Sequence, residues 1–298
     1  MKCNLCPRKC NVDRNITHGV CGIGEKMRIA KVMIHKWEEP CISGVESTSG
    51  SGAIFFSGCP LKCVYCQNRD ISKTSFGKDI DPTNLANIFL DLQNKGAHNI
   101  NLVTPTHFSD KIIDALVLVK GKLKIPVVYN TGGYELPDVI EKLKGYVQVF
   151  LTDIKYYSDD LSKKYSNAPD YFKYALSSLE SMIKITGECK FDSDGLIKSG
   201  VILRHLVLPT HRDDSIKVLD EVKKNIDISK IRLSLMSQYT PDFCDEKYKE
   251  LKRRITTFEY NSVLDHAIEL GYDGYFQELS SSKSSYTPTF TEEKIYDY

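Results

Sequence analysis

The sequence predicts an α/β fold: a partial barrel of six strand–helix units behind a cysteine-rich, metal-binding extension. Three observations lead there. From residue 53 onward, short apolar runs of strand length alternate with segments of helical period. Such a series implies parallel strands with helices outside, and six units fall short of a closed eight-unit barrel. Eight of the ten cysteines crowd into the first 66 residues, apart from that pattern. A doubly wound sheet is the second choice of architecture. The expected organisation is a cysteine-rich module over 1–46, the barrel over 53–279 and a tail over 280–298.

The elements follow in order. Residues 1 to about 45 show little periodicity, so their structure is expected to depend on bound metal. Ala53–Ser57 reads as the first strand, and Leu85, Ile88, Phe89 and Leu92 share one helical face. Asn99–Val103 is a strand, Lys111–Val119 a helix, Ile125–Tyr129 a strand and Glu135–Lys144 a helix. Val147–Ile154 is the fourth strand, followed by a helix over Pro169–Thr186. Ser199–Val207 and Lys230–Leu235 are the last two strands, separated by a helix over Asp213–Asn225. Tyr248, Leu251, Ile255 and Phe258 mark a further helix, and Val263–Leu270 another. The tail is serine-rich, then charged and tyrosine-bearing, and either stays disordered or covers the sheet edge. In either architecture, chemistry belongs at the C-terminal ends of the strands.

Composition narrows the function classes. Forty basic against 39 acidic residues leave a formal charge of +1, so a nucleic-acid partner ranks last. No apolar run approaches the ~18 residues of a membrane span. The best candidate, Ile112–Val119, is short and contains Asp114. The start, Met1-Lys2-Cys3, has no apolar stretch behind it, which points away from a signal peptide and toward the reducing cytoplasm. Disulfides rarely persist there, so the crowded cysteines read as metal ligands.

Cys3, Cys6, Cys10 and Cys21 form C-x2-C-x3-C-x10-C, a second metal site suited to zinc or to an iron–sulfur cluster. Cys41 is a spare, a fifth candidate ligand. Arg8, Lys9 and Arg14 are expected to offset cluster charge or to dock an acidic electron donor such as flavodoxin. Cys189 and Cys244 are single thiols with packing or surface roles. Gly22-x-Gly24 and Ser49–Gly52 lack the strand-before, helix-after context of a nucleotide loop and read as turns.

The sharpest motif is Ser57-Gly58-Cys59-Pro60-Leu61-Lys62-Cys63-Val64-Tyr65-Cys66-Gln67-Asn68, directly after the first predicted strand. Three thiolates on one short loop can hold three irons of a cubane and leave the fourth open. Tyr65 is placed to pack over a ligand there. This loop in this place resembles the radical S-adenosylmethionine (radical SAM) superfamily, whose partial barrel matches the six units. The resemblance implies a [4Fe-4S] cluster on Cys59, Cys63 and Cys66 that binds S-adenosylmethionine and cleaves it reductively to a 5′-deoxyadenosyl radical, which abstracts hydrogen from a substrate.

More narrowly, the chain looks like the branch described as pyruvate formate-lyase activating enzyme-like. Besides the cluster loop, the carrying segments are Cys3-x-x-Cys6-Pro7-Arg8-x-Cys10, Glu38–Gly44, Thr104-Pro105-Thr106-His107 and Arg204–Pro209. In that resemblance Asp153 and Lys155, which alternate onto one face of the fourth strand's end, would bind the ribose and amino-acid end of S-adenosylmethionine. Asn130-Thr131 matches a monovalent-cation position where a carboxylate is more usual. Arg204 would contact the methionyl carboxylate. The usual Gly-Gly-Glu is replaced by Thr104–His107, where Thr104 and Thr106 would substitute. His107 is either a site contact or a helix-start residue. Gln238 stands where a histidine is presented, and His205 reads as structural. A one-electron donor such as flavodoxin or ferredoxin is implied.

The leading reading is a radical SAM enzyme acting on a protein, as an activase of a glycyl radical enzyme does. A radical SAM enzyme acting on a small molecule or peptide is the second, favoured by the departures at Thr104–His107 and Gln238. A non-catalytic iron–sulfur or zinc electron-transfer protein is the third, and the open fourth iron argues against it.

Overall fold

The computed structural model describes residues 2–45, 49–278, 288, 290–291 and 295–297. Residues 2–25 carry turns, then strand β1 (Met27–His35) and the short helix α1 (Pro40–Ser43) follow. The barrel begins with β2 (Ser51–Phe56), α2 (Arg69–Ser72), β3 (Lys78–Ile80) and α3 (Pro82–Asn94). It continues through β4 (Ile100–Val103), α4 (Ser109–Leu118), β5 (Val127–Thr131), α5 (Pro137–Lys142) and β6 (Val149–Asp153). Helices α6 (Asp159–Ser166) and α7 (Tyr171–Thr186) lead to β7 (Lys190–Phe191), β8 (Ile197–Leu206) and α8 (Arg212–Asn225). Last come β9 (Ile231–Met236), α9 (Thr257–Glu269), β10 (Gly274–Phe276) and β11 (Tyr296–Asp297).

Strands β2, β4, β5, β6, β8 and β9 run parallel, each hydrogen-bonded to the next, with helices between them in sequence. This is the expected partial barrel. The sheet runs β10-β9-β8-β6-β5-β4-β2-β1-β11 and remains open. Among the described residues, no helix is long and apolar enough to cross a membrane.

Four expectations need correction. Residues 27–35, within the segment expected to lack periodicity, form β1, antiparallel to β2 from Ile29 to His35. Met27, Ile29, Ala30 and Val32 are all buried, so the strand has no solvent face to produce alternation. Lys31 hides within it, paired to Asp297 at 3.0 Å. Second, β10 adds a parallel strand to β9 beyond the six predicted. Third, α6 occupies residues to which the sequence reading assigned no element, capped by the Ser158 side chain and closed by left-handed Asn167. Fourth, the helix expected from Tyr248 to Phe258 is a single 3-10 turn at Lys249–Leu251. Helix α9 starts only at Thr257. The reason is a capping box in which Thr256 and Glu259 exchange side-chain and backbone bonds and set the start. Much of the tail lies outside the described residues. Its Tyr296–Asp297 pairs with β1 at Val32 and Met33, covering that sheet edge.

The barrel interior is layered. Its lower part is apolar: Val128, Val149, Leu151 and Ile202 pack on Cys41 and Ile42 of α1. The N-terminal segment therefore plugs the barrel from below, and the fully buried Ile42 contributes about 2 kcal/mol to that contact. One step higher the inward positions turn polar, at Asn101, Asn130, Asp153 and Arg204. That change of character marks the site.

Candidate active site

The cysteine loop leaves the C-terminal end of β2. Gly58 has φ +79, and a Cβ there would lie 2.4 Å from Ile23 Cγ1 and 2.7 Å from the Cys21 carbonyl, so only glycine fits. Its amide donates to Ile71 O at 2.7 Å, and the Cys59 amide donates to Cys21 O at 3.2 Å. Further on, the Leu61 amide points at Cys59 Sγ (3.4 Å), and the Val64 amide donates to Tyr165 O (2.9 Å). Ser166 Oγ lies 3.0 Å from Cys63 Sγ. Burial pushes the Cys59 thiol up to about 12, with Cys63 and Cys66 adding to the shift. Three thiols on one loop are a donor set whose chemistry suits iron.

Cys59, Cys63, Cys66, Tyr65, Thr104, Thr106, Asn130, Thr131, Asp153, Lys155, Arg204 and Gln238 all line a single cavity of about 250 Å³ at the C-terminal ends of the strands. Arg204 is its hub. Its Nε meets Asp153 Oδ1 at 3.2 Å, its Nη2 donates to Asn130 Oδ1 at 2.6 Å, and its Nη1 meets Glu38 Oε2 at 3.3 Å. Lys155 Nζ lies 2.7 Å from Asp153 Oδ2. Burial alone would raise the Asp153 carboxyl, but Lys155 and Arg204 outweigh it and hold the group below its ordinary value. The cavity thus contains a fixed carboxylate, a guanidinium and an ammonium within hydrogen-bond reach of one another.

Thr106 Oγ1 donates to Glu135 Oε1 at 2.5 Å, and Thr131 Oγ1 donates to the same oxygen. Both threonine hydroxyls are therefore held from behind by a fully buried carboxyl that burial raises to about 7. Thr104 adopts φ +59 and donates its amide to Asn130 O at 2.8 Å. The Tyr65 hydroxyl turns to Tyr156 at 2.6 Å, leaving its ring on the cavity wall. Gln277 Nε2 reaches Gln238 Oε1 at 3.4 Å.

Sequence reasoning assigned no role to Glu38, although it lay in a segment carrying the resemblance. Glu38 Oε1 accepts from Asn101 Nδ2 (3.1 Å) and Asn130 Nδ2 (3.4 Å), so a residue just before α1 forms the cavity floor. Its neighbour Glu39 is buried, and its carboxyl is raised by burial although Arg204 opposes the shift. The signal was the paired acid before Pro40, which is well placed as a first helical residue. Glu135 and Ser166 had no sequence signal.

The four N-terminal cysteines lie outside that cavity but beside the loop. A methyl on Gly19 would touch Cys10 Sγ at 3.5 Å and Cys21 Sγ at 3.6 Å. The Val20 amide points at Cys10 Sγ (3.3 Å), and the Cys6 thiol is pushed up to about 12 by burial, with Cys10 and Cys21 contributing. Cys41 does not join them. It packs in the barrel interior near Tyr275 and Cys189, so it is no fifth ligand. All ten cysteines are free.

Arg8 and Arg14 are both bonded within the chain. Arg8 donates to Pro60 O (2.7 Å), Ser166 O (2.9 Å) and Asn167 O, and lies over the Tyr134 ring. Arg14 is buried and donates to Gly24 O (2.8 Å) and His107 O (2.6 Å). Both guanidiniums tie the N-terminal segment to the barrel, and Lys9 remains exposed. His107 is an anchor: its Nε2 meets Ser57 O at 2.7 Å, and burial lowers it to about 3, so the neutral ring donates. His205 is structural as read, with Nδ1 2.6 Å from Ile154 O.

Residues 53–242 match the radical SAM superfamily. The chain is 31% identical over 281 residues to an uncharacterised protein of Methanocaldococcus jannaschii, covering 91% of this chain and 75% of that one. It is 28% identical over 197 residues to the pyruvate formate-lyase-activating enzyme of Clostridium pasteurianum, covering 60% of this chain and 72% of that one. Among solved structures it resembles Streptococcus suis SuiB bound to S-adenosylmethionine, with a TM-score of 0.50 and 16% identity over 74% of this chain. The chain spans about half of SuiB's length, 47%, and that likeness is one of fold. The chain belongs to the radical SAM superfamily. It is a radical SAM enzyme, with the [4Fe-4S] cluster and S-adenosylmethionine that the family implies.

Proposed function

We propose that this enzyme acts on a protein, generating a radical on a partner as an activase of a glycyl radical enzyme does. The observation that carries the reading is the similarity to a pyruvate formate-lyase-activating enzyme over 197 residues. When bound, the reduced cluster with S-adenosylmethionine supplies a 5′-deoxyadenosyl radical that takes a hydrogen atom from the substrate.

Every other task falls to the chain's residues. Cys59, Cys63 and Cys66 would hold three irons of the cluster. Arg204 brings a guanidinium charge into the cavity, and each of its two terminal nitrogens keeps one N–H beyond its bond to Glu38 or Asn130, a donor suited to a carboxylate. Asp153 offers an acceptor pair for hydroxyl or ammonium groups, and Lys155 keeps it ionised. Asn130 and Glu38 hold Arg204 in place. The Tyr65 ring walls the cavity. Cys3, Cys6, Cys10 and Cys21 would hold a second metal, zinc or an iron–sulfur cluster. A flavodoxin or ferredoxin delivers the electron, in a reducing cytoplasm consistent with ten free cysteines.

A second reading, a small molecule or peptide as substrate, is favoured by the cavity floor. Plugged by α1 and lined by Glu38, Asn101 and Asn130, it forms a polar cup rather than an open channel.

The test is anaerobic reconstitution with S-adenosylmethionine and a low-potential reductant, assayed with and without a glycyl radical enzyme from the same organism. The expected result is 5′-deoxyadenosine formation together with the glycyl radical's electron paramagnetic resonance doublet. Deoxyadenosine without the doublet, and with hydrogen taken instead from an added metabolite or peptide, would favour the second reading. No deoxyadenosine above a Cys59→Ala/Cys63→Ala/Cys66→Ala background would favour a non-catalytic protein.

A further inference from the structure

The sulfur of Cys63 meets a chain of buried hydroxyls. Ser166 Oγ lies 3.0 Å from Cys63 Sγ, Tyr156 OH lies 2.8 Å from Ser166 Oγ, and Tyr65 OH lies 2.6 Å from Tyr156 OH. All four residues are buried, so water does not compete for these bonds. A thiolate sulfur bound to iron carries no proton and can only accept. Ser166 must then donate to it, which leaves the Ser166 oxygen to accept from Tyr156 and the Tyr156 oxygen to accept from Tyr65. The direction of the whole chain follows, and each bond polarises the next toward the sulfur.

Ser166 is placed for this by both halves of the molecule. It is the last residue of α6, and Asn167 ends the helix in the left-handed conformation at φ 48, ψ 36. Carbonyls at a helix end are left without intrahelical donors. Here Arg8 supplies them, donating to Ser166 O at 2.9 Å and to Asn167 O, while its Nε holds Pro60 O of the cysteine loop at 2.7 Å. The adjoining bond from the Val64 amide to Tyr165 O fixes the loop to the same helix end. One arginine from the N-terminal segment thus sets the spacing between the hydroxyl and the sulfur it serves.

We propose that Ser166 is a positioning residue that raises the reduction potential of the iron–sulfur cluster by donating a hydrogen bond to Cys63, in a geometry clamped by Arg8. The proposal rests on the reading that Cys59, Cys63 and Cys66 hold that cluster. One electron from a low-potential donor adds negative charge to the cluster and its sulfurs, and no bond to protein is made or broken. A hydrogen bond to sulfur stabilises the reduced form more than the oxidised one, so its loss makes reduction harder.

The experiment is a redox titration of the full chain, reconstituted without oxygen and without S-adenosylmethionine. It follows the electron paramagnetic resonance signal of the reduced cluster. The spectrum of the Cys59→Ala/Cys63→Ala/Cys66→Ala protein is subtracted, which removes any signal from the N-terminal cysteines. Ser166→Ala is expected to move the midpoint to a more negative potential. Tyr156→Phe is expected to move it in the same direction by less. Ser162→Ala removes another buried hydroxyl of α6, one that bonds Ala168 O at 2.7 Å, and is expected to leave the midpoint unchanged. A Ser166→Ala protein with full iron content and an unmoved midpoint overturns the proposal, as does an equal shift in Ser162→Ala. If Ser166→Ala takes up no cluster, Tyr156→Phe decides, and an unmoved midpoint there overturns it. A signal that survives in the triple-cysteine protein unchanged from the unaltered chain overturns the underlying cluster assignment instead.

Discussion

The two cysteine groups of this protein sit side by side and are built by different means. The loop of Cys59, Cys63 and Cys66 leaves a fully buried strand and is bonded at successive residues to other parts of the structure. The four cysteines between residues 3 and 21 sit in a run of turns. Cys3 bonds Val12, Lys9 bonds Cys6 and Gly22 bonds Gly19, each close in sequence, and an isolated bridge joins Lys2 to Asp13. Their ties to the barrel are few: Arg8, Arg14 and the Cys21 carbonyl. The comparison teaches that one cysteine loop is held in place by bonds to distant parts of the fold, whereas the other is held mostly by bonds within itself. Metal coordination by its four cysteines, as proposed above, would add order to a segment with so little regular structure.

The largest expected effect breaks the first group. Changing Cys59, Cys63 and Cys66 to Ala is expected to abolish 5′-deoxyadenosine formation while thermal unfolding of the barrel shifts by only a few degrees. A collapse of the fold in that protein would show that the loop is no better held by the fold than its neighbour.

Breaking the second group should act on structure first. Cys6→Ser with Cys21→Ser is expected to lower bound metal and to expose residues 2–25 to limited proteolysis, with the barrel's unfolding midpoint largely retained. Unchanged protease resistance and metal content would remove the contrast.

Arg8→Ala probes the joint between them. It leaves three carbonyls without their charged donor and is expected to cost about 2–3 kcal/mol in denaturant unfolding. A cost below about 0.5 kcal/mol, the level of a surface substitution, would mean that the two regions fold independently.

The smallest effect concerns pH. Burial holds His205 down near 4, against 6.5 unperturbed, so the folded protein binds fewer protons there than the unfolded chain. Its contribution is present above pH 6.5 and lost as pH falls toward 4. His205→Gln is expected to flatten the decline of stability with acid over that window. An unchanged slope would show that His205 does not titrate with unfolding.

Much of this was legible along the chain. The six strands of the barrel are short segments rich in apolar residues, alternating with segments of helical period, and that pattern is a local property. The cysteine spacing is local as well, so the cluster loop could be read and placed at a strand end. Asp153, Lys155 and Arg204 were legible for the same reason: parallel strands put their C-terminal residues on one rim. Strand β1 was not, because Lys31 interrupts its apolar run and is compensated by Asp297, far away in sequence. The helix expected at Tyr248 failed because the bonds of Glu259 to Thr256, Thr210 and Arg253 set the true start.

By itself, the sequence determined the fold class, the cluster loop and the rim residues, since strand period, helix period and ligand spacing are short-range features of the chain. Only the tertiary structure decided that Glu38 reaches Arg204, that Cys41 fills the barrel rather than joining the other thiols, and that Ser166 meets Cys63. Those contacts join residues up to 166 positions apart. Nothing local encodes them. They exist because α1 plugs the barrel and Arg8 clamps α6, and both follow from how the packed elements share one interior.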